Sequence, residues 1–188
     1  DRYFDVFVEY AKDSPEDFLI RTTIHNGAPD PAELHVLPTL WFRNRWSWQT
    51  KVEKPLLERV GNVVRAVGPK LGERYLYSEG DPPLLFTENE TNTQRICGTP
   101  NRTPYVKDSI NDYVIHHRLH GVNPQQTGTK AAAHYQVTVP SGGSQVIRLL
   151  LTQRAPSLFS RSNGRGPGPF GKEFAGILDL RQKEADEF

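Results

Sequence analysis

The amino-acid sequence predicts an all-β protein: an antiparallel β-sandwich with a short C-terminal helix. Three observations carry this expectation. Apolar and polar residues alternate through most of the chain with the period of a half-buried strand. Clusters rich in Gly, Pro, Asp and Asn interrupt the alternation at short intervals, as turns do. No helical period is legible before the tail, and many short strands without intervening helices favour a sandwich. A chain of 188 residues has the size of one domain with room for an appendage, at roughly 100 to 200 residues per domain.

The elements follow from the pattern in order. In residues 3–10, Phe4, Val6, Val8 and Tyr10 share one face while Tyr3, Asp5, Phe7 and Glu9 share the other. KDSPED turns the chain toward a second strand at 18–25, and NGAPDPA toward a third at 34–41. Further strands are expected at 62–67, 73–78, 84–88, 112–120, 132–139 and 145–151, the last two joined by PSGGS. Residues 1–154 are therefore read as the sandwich. Residues 155–171 contain RSNGRGPGPFG and are read as a Gly/Pro-rich linker. In residues 172–188, Phe174, Ile177, Leu178, Arg181, Ala185 and Phe188 recur at helical spacing. So short an amphipathic helix is marginal alone and needs a surface to cover. The stretch 89–111 is long, polar and rich in Asn and Thr, and connections of that length are usually functional or disordered.

Composition excludes several function classes. With 23 Lys and Arg against 22 Asp and Glu, no net field draws in nucleic acid or an anionic bilayer. No apolar run approaches the roughly 18 residues of a membrane helix, and the first residues lack a signal-peptide pattern. A lone Cys97 allows no internal disulfide and favours a reducing compartment, so a cytoplasmic location is expected. The sequence begins at Asp1 and contains no Met, which predicts processing or a piece of a longer chain. The two sequons at Asn89 and Asn101 are read as chance.

Four constellations have the residue types that chemistry requires. The segment LWFRNRWSW holds all three Trp with Arg43, Asn44 and Arg45 beside them, a composition suited to stacking a sugar ring and binding its hydroxyls. Core or interface packing is the competing reading for each aromatic. Glu88 and Glu90 would sit about 7 Å apart on one strand face. General acid and base must flank a glycosidic bond from opposite sides, so no catalytic pair is expected. Asp108 and Asp112 read first as turn residues or caps. His116 and His120, on a strand, would lie about 13 Å apart with His117 on the other face, so no metal site is expected. Cys97 carries no mark of a nucleophile, and no Gly-rich phosphate loop is present. No cofactor is expected.

Long runs carry a family resemblance. LHVLPTLWFRNRWSW, LLFTENETNTQRICGTPNRTPYVKDSINDYVIHHRL, NPQQTGTKAAAHY and RQKEADEF resemble the N-terminal region of bacterial glucosidase-like proteins, related to glycoside hydrolase family 63 and mannosylglycerate hydrolases. The resemblance implies a truncated supersandwich whose tail leads toward an (α/α)6 barrel absent from this chain, with the catalytic acids in that barrel. No catalytic residue is carried over. The expected role is non-catalytic: to support and flank the barrel's active site. Trp46, Asn92, Asn101, Lys107 and Asn111 are the candidate substrate contacts in the parent protein. Expected partners are the catalytic barrel and carbohydrate, with self-association through the truncated edge, or a terminal helix folded back over it. The rivals are an autonomous carbohydrate-binding module using Trp41, Trp46 and Trp48, and a purely structural or oligomerising sandwich.

Overall fold

The computed structural model of the chain describes residues 1–49, 51–159 and 169–188. The expected class holds: antiparallel sheets dominate and a helix follows them. In chain order the strands are β1 (Phe4–Lys12), β2 (Phe18–Asn26), β3 (Ala32–Val36), β4 (Thr39–Trp41), β5 (Leu56–Val60), β6 (Val63–Gly68), β7 (Gly72–Ser78) and β8 (Leu84–Thr87). Helices α1 (Thr93–Cys97) and α2 (Ser109–His116) and a 3-10 turn (Leu119–Gly121) come next. Then follow β9 (Thr127–Gly128), β10 (Lys130–Ala133), β11 (Tyr135–Val139), β12 (Ser144–Thr152), α3 (Pro156–Phe159) and α4 (Lys172–Asp186). Most of the expected linker, residues 160–168, lies outside the described residues.

The chain forms two compact units, one of residues 1–34, 74–81 and 136–188, the other of residues 35–73 and 82–135. In the first, strands run in the order β1-β2-β12-β7. Pairing runs from Phe4 opposite Asn26 to Lys12 opposite Phe18, and from Ser144 opposite His25 to Leu151 opposite Phe18. Helix α4 lies on the face carrying Leu19 and Leu150, where Phe174 and Leu178 are buried. Arg21 grips both carboxylate oxygens of Glu9 at 2.5 and 2.6 Å across the β1–β2 pair. That hydrogen bonding holds the Glu9 carboxyl below its usual range against the opposing pull of burial. Asn26, fully buried, donates to the carbonyls of Asp30 and Val139 and accepts from the Ala28 N–H, each at 2.9 Å. Every polar atom of this amide is used, so its burial carries no desolvation penalty left unmet.

The second unit contains the order β6-β5-β9 and the sheet β4-β10-β8. Leu85 and Ala132 pair across β8 and β10 and meet Ile110 and Val114 of α2 in one buried cluster. Here the sequence expectation for 112–120 fails. Ile110, Tyr113 and Val114 recur at helical spacing, and the β-branched pair Val114-Ile115 disguises that period as a strand. Helix α2 stops at His117, which adopts φ +52° and returns its N–H to the Asp112 carbonyl. His116 and His120 therefore sit at a helix end and on a 3-10 turn, not along a strand. Among the described residues no group of three His, Cys, Asp or Glu side chains is placed to hold a metal.

Two further expected strands are each broken in two. Leu37 and Pro38 divide 34–41 into β3 and β4, since proline donates nothing to a ladder. His134 divides 132–139, giving its backbone N–H to the Pro83 carbonyl at 2.9 Å. Strands β3 and β11 pair as a separate two-stranded sheet. Strand β5 lies outside the expected strands because Pro55 and Gly61 enclose only a short apolar run.

Two predictions follow from this packing. Phe174→Ala, or Leu178→Ala, removes a buried anchor of α4 and is expected to cost about 3 kcal/mol in equilibrium urea unfolding. Amide exchange in α4 should accelerate with it, and an unchanged midpoint would mean the helix is not held by these side chains.

His134 sets a pH dependence. Its Nε2 lies 2.7 Å from Nδ1 of His35, a bond that needs at least one neutral ring. Burial first, and the His35 ring second, hold the His134 imidazole below its ordinary range. The unfolded chain takes up this proton near pH 6.5, the folded chain only at lower pH. Stability is thus unaffected above that point and is lost as pH falls through it. His134→Gln is expected to shed less melting temperature than the parent between about pH 7.5 and 5. Equal losses would place the acid sensitivity elsewhere.

Candidate functional site

The site is built on one close approach. A Cβ on Gly128 would lie 2.2 Å from the Thr87 carbonyl oxygen, so only glycine lets β9 pass this near β8. The next residue, Thr129, is fully buried, and its N–H reaches the same carbonyl at 3.1 Å. Its hydroxyl donates to Glu88 Oε2 at 2.7 Å and accepts from the Asn89 N–H at 2.8 Å. Asn89 Nδ2 then holds the Phe42 carbonyl at 2.9 Å, fixing the aromatic segment that follows β4.

Two carboxylates converge beside this node. Lys54 Nζ stands 2.8 Å from Glu88 and 4.0 Å from Glu90, while the Trp46 indole N–H donates to Glu90 Oε1 at 2.7 Å. Both side chains are mostly shielded, at 16% and 12% exposure. Backbone bonds lock them further: Glu88 N–H to the Tyr105 carbonyl, and Lys107 N–H to the Glu90 carbonyl. The two acids share one cation on one side, and their hydrogen bonds anchor the loop that leaves β8.

That loop is ordered by its own asparagines. Asn92 Oδ1 caps α1 through the Arg95 N–H and accepts from Asn101 Nδ2, while Asn92 Nδ2 reaches Asp108. Asn101 Oδ1 accepts from Thr93 Oγ1 and the Gln94 N–H, both at 3.1 Å. Gly98, at φ +71°, ends α1. The 3-10 turn closes the far wall, because a Cβ at Gly121 would meet the Ser109 carbonyl at 2.8 Å.

Between these walls lies a cavity of about 660 Å³ that Asn92, Asn101, Arg118, His117, His120 and Asp112 help to line. Arg118 Nη1 lies 3.3 Å from Asp112 Oδ2. Side chains able to donate and to accept line this space, which suits a hydroxylated ligand that both gives and takes hydrogen bonds.

The five sequence candidates are distributed unevenly. Asn92 and Asn101 line the cavity with side chains already engaged inside the loop. Lys107 turns its ammonium to Thr91 Oγ1 at 3.3 Å, and Asn111 is exposed on α2 outside the lining. Trp46 is half-buried and borders a different cavity. Lys54, Thr129 and Arg118 are not among the sequence candidates, and His117 enters there only in the rejected metal reading. The glycine of TGTK is a local signal for Thr129 alone. Lys130 donates to the Lys107 carbonyl at 2.7 Å. Burial holds its ammonium below the usual range, with Asp108 opposing and Lys107 adding to the effect.

No family model matches the chain. It is 35% identical to an uncharacterized protein of Saccharomyces cerevisiae over 219 aligned positions, which take in 99% of this chain and 20% of the yeast protein. The chain thus spans one fifth of the length of that relative.

The node generates a stability prediction. Thr129→Val keeps the shape but strips Glu88 and the Asn89 N–H of a shared partner, at an expected cost of about 2 kcal/mol in urea unfolding. Thr129→Ser should recover most of it. Equal stability of the valine variant would show that the hydroxyl carries no weight.

Proposed function

We propose that this chain is the non-catalytic sandwich portion of a glycoside hydrolase, which contacts carbohydrate beside a catalytic barrel supplied by the parent protein. The observation that supports this reading is the division of polar groups. Glu88 and Glu90 are bound to Lys54, Thr129 and Trp46, whereas the loop cavity is lined by His117, His120 and an Arg118 joined to Asp112 of the same lining. Acid and base chemistry on a glycoside needs two carboxyl groups on opposite sides of one bond. Groups that only orient hydroxyls need no such opposition. The exposed thiol of Cys97 fits a reducing, cytoplasmic setting. Among the described residues no helix is long and apolar enough to cross a membrane. Strand β1 ends its sheet with Val6, Val8 and Tyr10 exposed, an edge suited to a further strand from the parent chain or a second copy.

A second reading has its own support. Trp41 and Trp48 are 56% and 79% exposed, as platforms of an autonomous carbohydrate-binding module would be.

Kinetics in the full-length protein separate the readings. The 188-residue chain is expected to release no nitrophenol from a nitrophenyl α-glucoside and to bind oligosaccharide too weakly for calorimetry. In the full-length enzyme, Arg118→Ala and His120→Ala should lower kcat/KM about tenfold with the melting temperature unchanged. Glycan binding by the chain alone, abolished by Trp48→Ala, would favour the module instead. Unchanged kinetics in both variants would remove the loop from the substrate path.

A further inference from the structure

A second cavity, of about 440 Å³, lies in the same unit as the loop cavity and is lined by a different set of residues. Four cations line it, Arg43, Arg45, Lys51 and Lys70, against one acid, Glu53. This is a local excess in a chain whose charges nearly cancel. Among the described residues none of the four stands in an ion pair, and Arg45 reaches only Gln49 Oε1 at 3.3 Å. Apart from Glu53, the carboxylates of this unit are committed elsewhere: Glu88 and Glu90 to Lys54, Glu58 and Glu73 to Arg65, Asp108 to Arg95 and Asp112 to Arg118. Like charges gathered without counter-charge repel one another, and a bound anion relieves that repulsion.

The floor between the cations is apolar and held in place. Trp46 cannot turn freely while its N–H is bound to Glu90. The Phe42 ring approaches Gly68 so closely that a Cβ there would stand 2.9 Å from it, and the Phe42 carbonyl is tied to Asn89. A ligand entering here meets a preformed aromatic wall and exposed cationic side chains in the same lining. Arginine forks match the paired oxygens of a phosphate, and lysines add point charges.

We infer that this cavity binds a small organic phosphate, with the dianionic group among Arg43, Arg45, Lys51 and Lys70 and an apolar ring face against Phe42 and Trp46. The net surplus of three positive charges in the lining favours a dianion over a singly charged carboxylate. The volume lies within the range of small-molecule sites. This inference rests on different residues from the loop cavity and stands apart from the proposed glycoside role.

Calorimetric titration of the protein with phenyl phosphate, inorganic phosphate and benzoate tests it. Phenyl phosphate is expected to bind, with inorganic phosphate and benzoate each at least tenfold weaker. Raising the salt from about 50 to 500 mM should weaken phenyl phosphate at least tenfold. The double substitution Arg43→Gln/Lys51→Gln alters exposed side chains and should abolish binding with an unchanged melting temperature. Absence of phenyl phosphate binding, or binding retained by the double variant, would overturn the site. Benzoate binding as tightly would overturn the dianion preference, and inorganic phosphate binding as tightly would overturn the aromatic floor.

Discussion

The approach of Gly128 to the Thr87 carbonyl is the constraint on which the loop after β8 and the aromatic segment after β4 both hang. Strand β9 can pair with β5, through Leu57 and Gly128, and still let its chain graze the end of β8 only because no Cβ intervenes. Thr129 is then delivered to a fully buried position where one hydroxyl serves both Glu88 and the Asn89 N–H. From Asn89 the bonding continues to Phe42. One missing side chain therefore sets the origin of two separated segments, the loop after β8 and the aromatic stretch after β4. Hydrogen bonds to charged groups contribute more than neutral ones, so a carboxylate at the centre makes the junction stiff.

Polar groups in this unit fall into two populations, and partner lists tell them apart better than residue type does. Asn92 and Asn101 face a cavity, yet both amides are consumed in holding α1 and the loop together. Glu88 and Glu90, which the one-sided strand geometry expected from sequence already argues against as a catalytic pair, act as fasteners in the structure. The exposed cations Lys51 and Lys70 draw no attention as sequence, since charged residues ordinarily face solvent, yet they converge with Arg43 and Arg45 on one concavity. A fastened group has its geometry fixed by the fold. A convergent, unfastened group has it fixed by a ligand.

Strands with unbroken alternation and clear turn clusters at both ends were legible: β1, β2, β6, β7, β8 and β12 all lie where the period placed them. The pattern misled where two periods overlap. Residues 112–120 carry Val114 and Ile115, whose strand preference is real locally and is overruled by burial of Ile110 and Val114 on Leu85 and Ala132. It also misled where a single residue diverts the backbone, at Pro38 and His134. The junction itself was not legible at all. Lys54 meets Glu88 across 34 residues and Trp46 meets Glu90 across 44, and no local signal encodes pairings at that separation. Histidine spacing computed for a strand lost its meaning once α2 replaced the strand.

The position of α4 has a consequence for biosynthesis. Strand β1 and its neighbour β2 leave the ribosome roughly 150 residues before the helix that lies over them, an interval of about 8 to 30 s at usual elongation rates. During that interval the nascent sheet presents Leu19 and, later, Leu150 to water with nothing over them. Pairing of β2 with β12 must itself wait for residue 144, so the apolar face and its cover mature late and nearly together. Chaperone capture during synthesis should therefore concentrate on the segment of β1 and β2, and slower translation would lengthen that exposure.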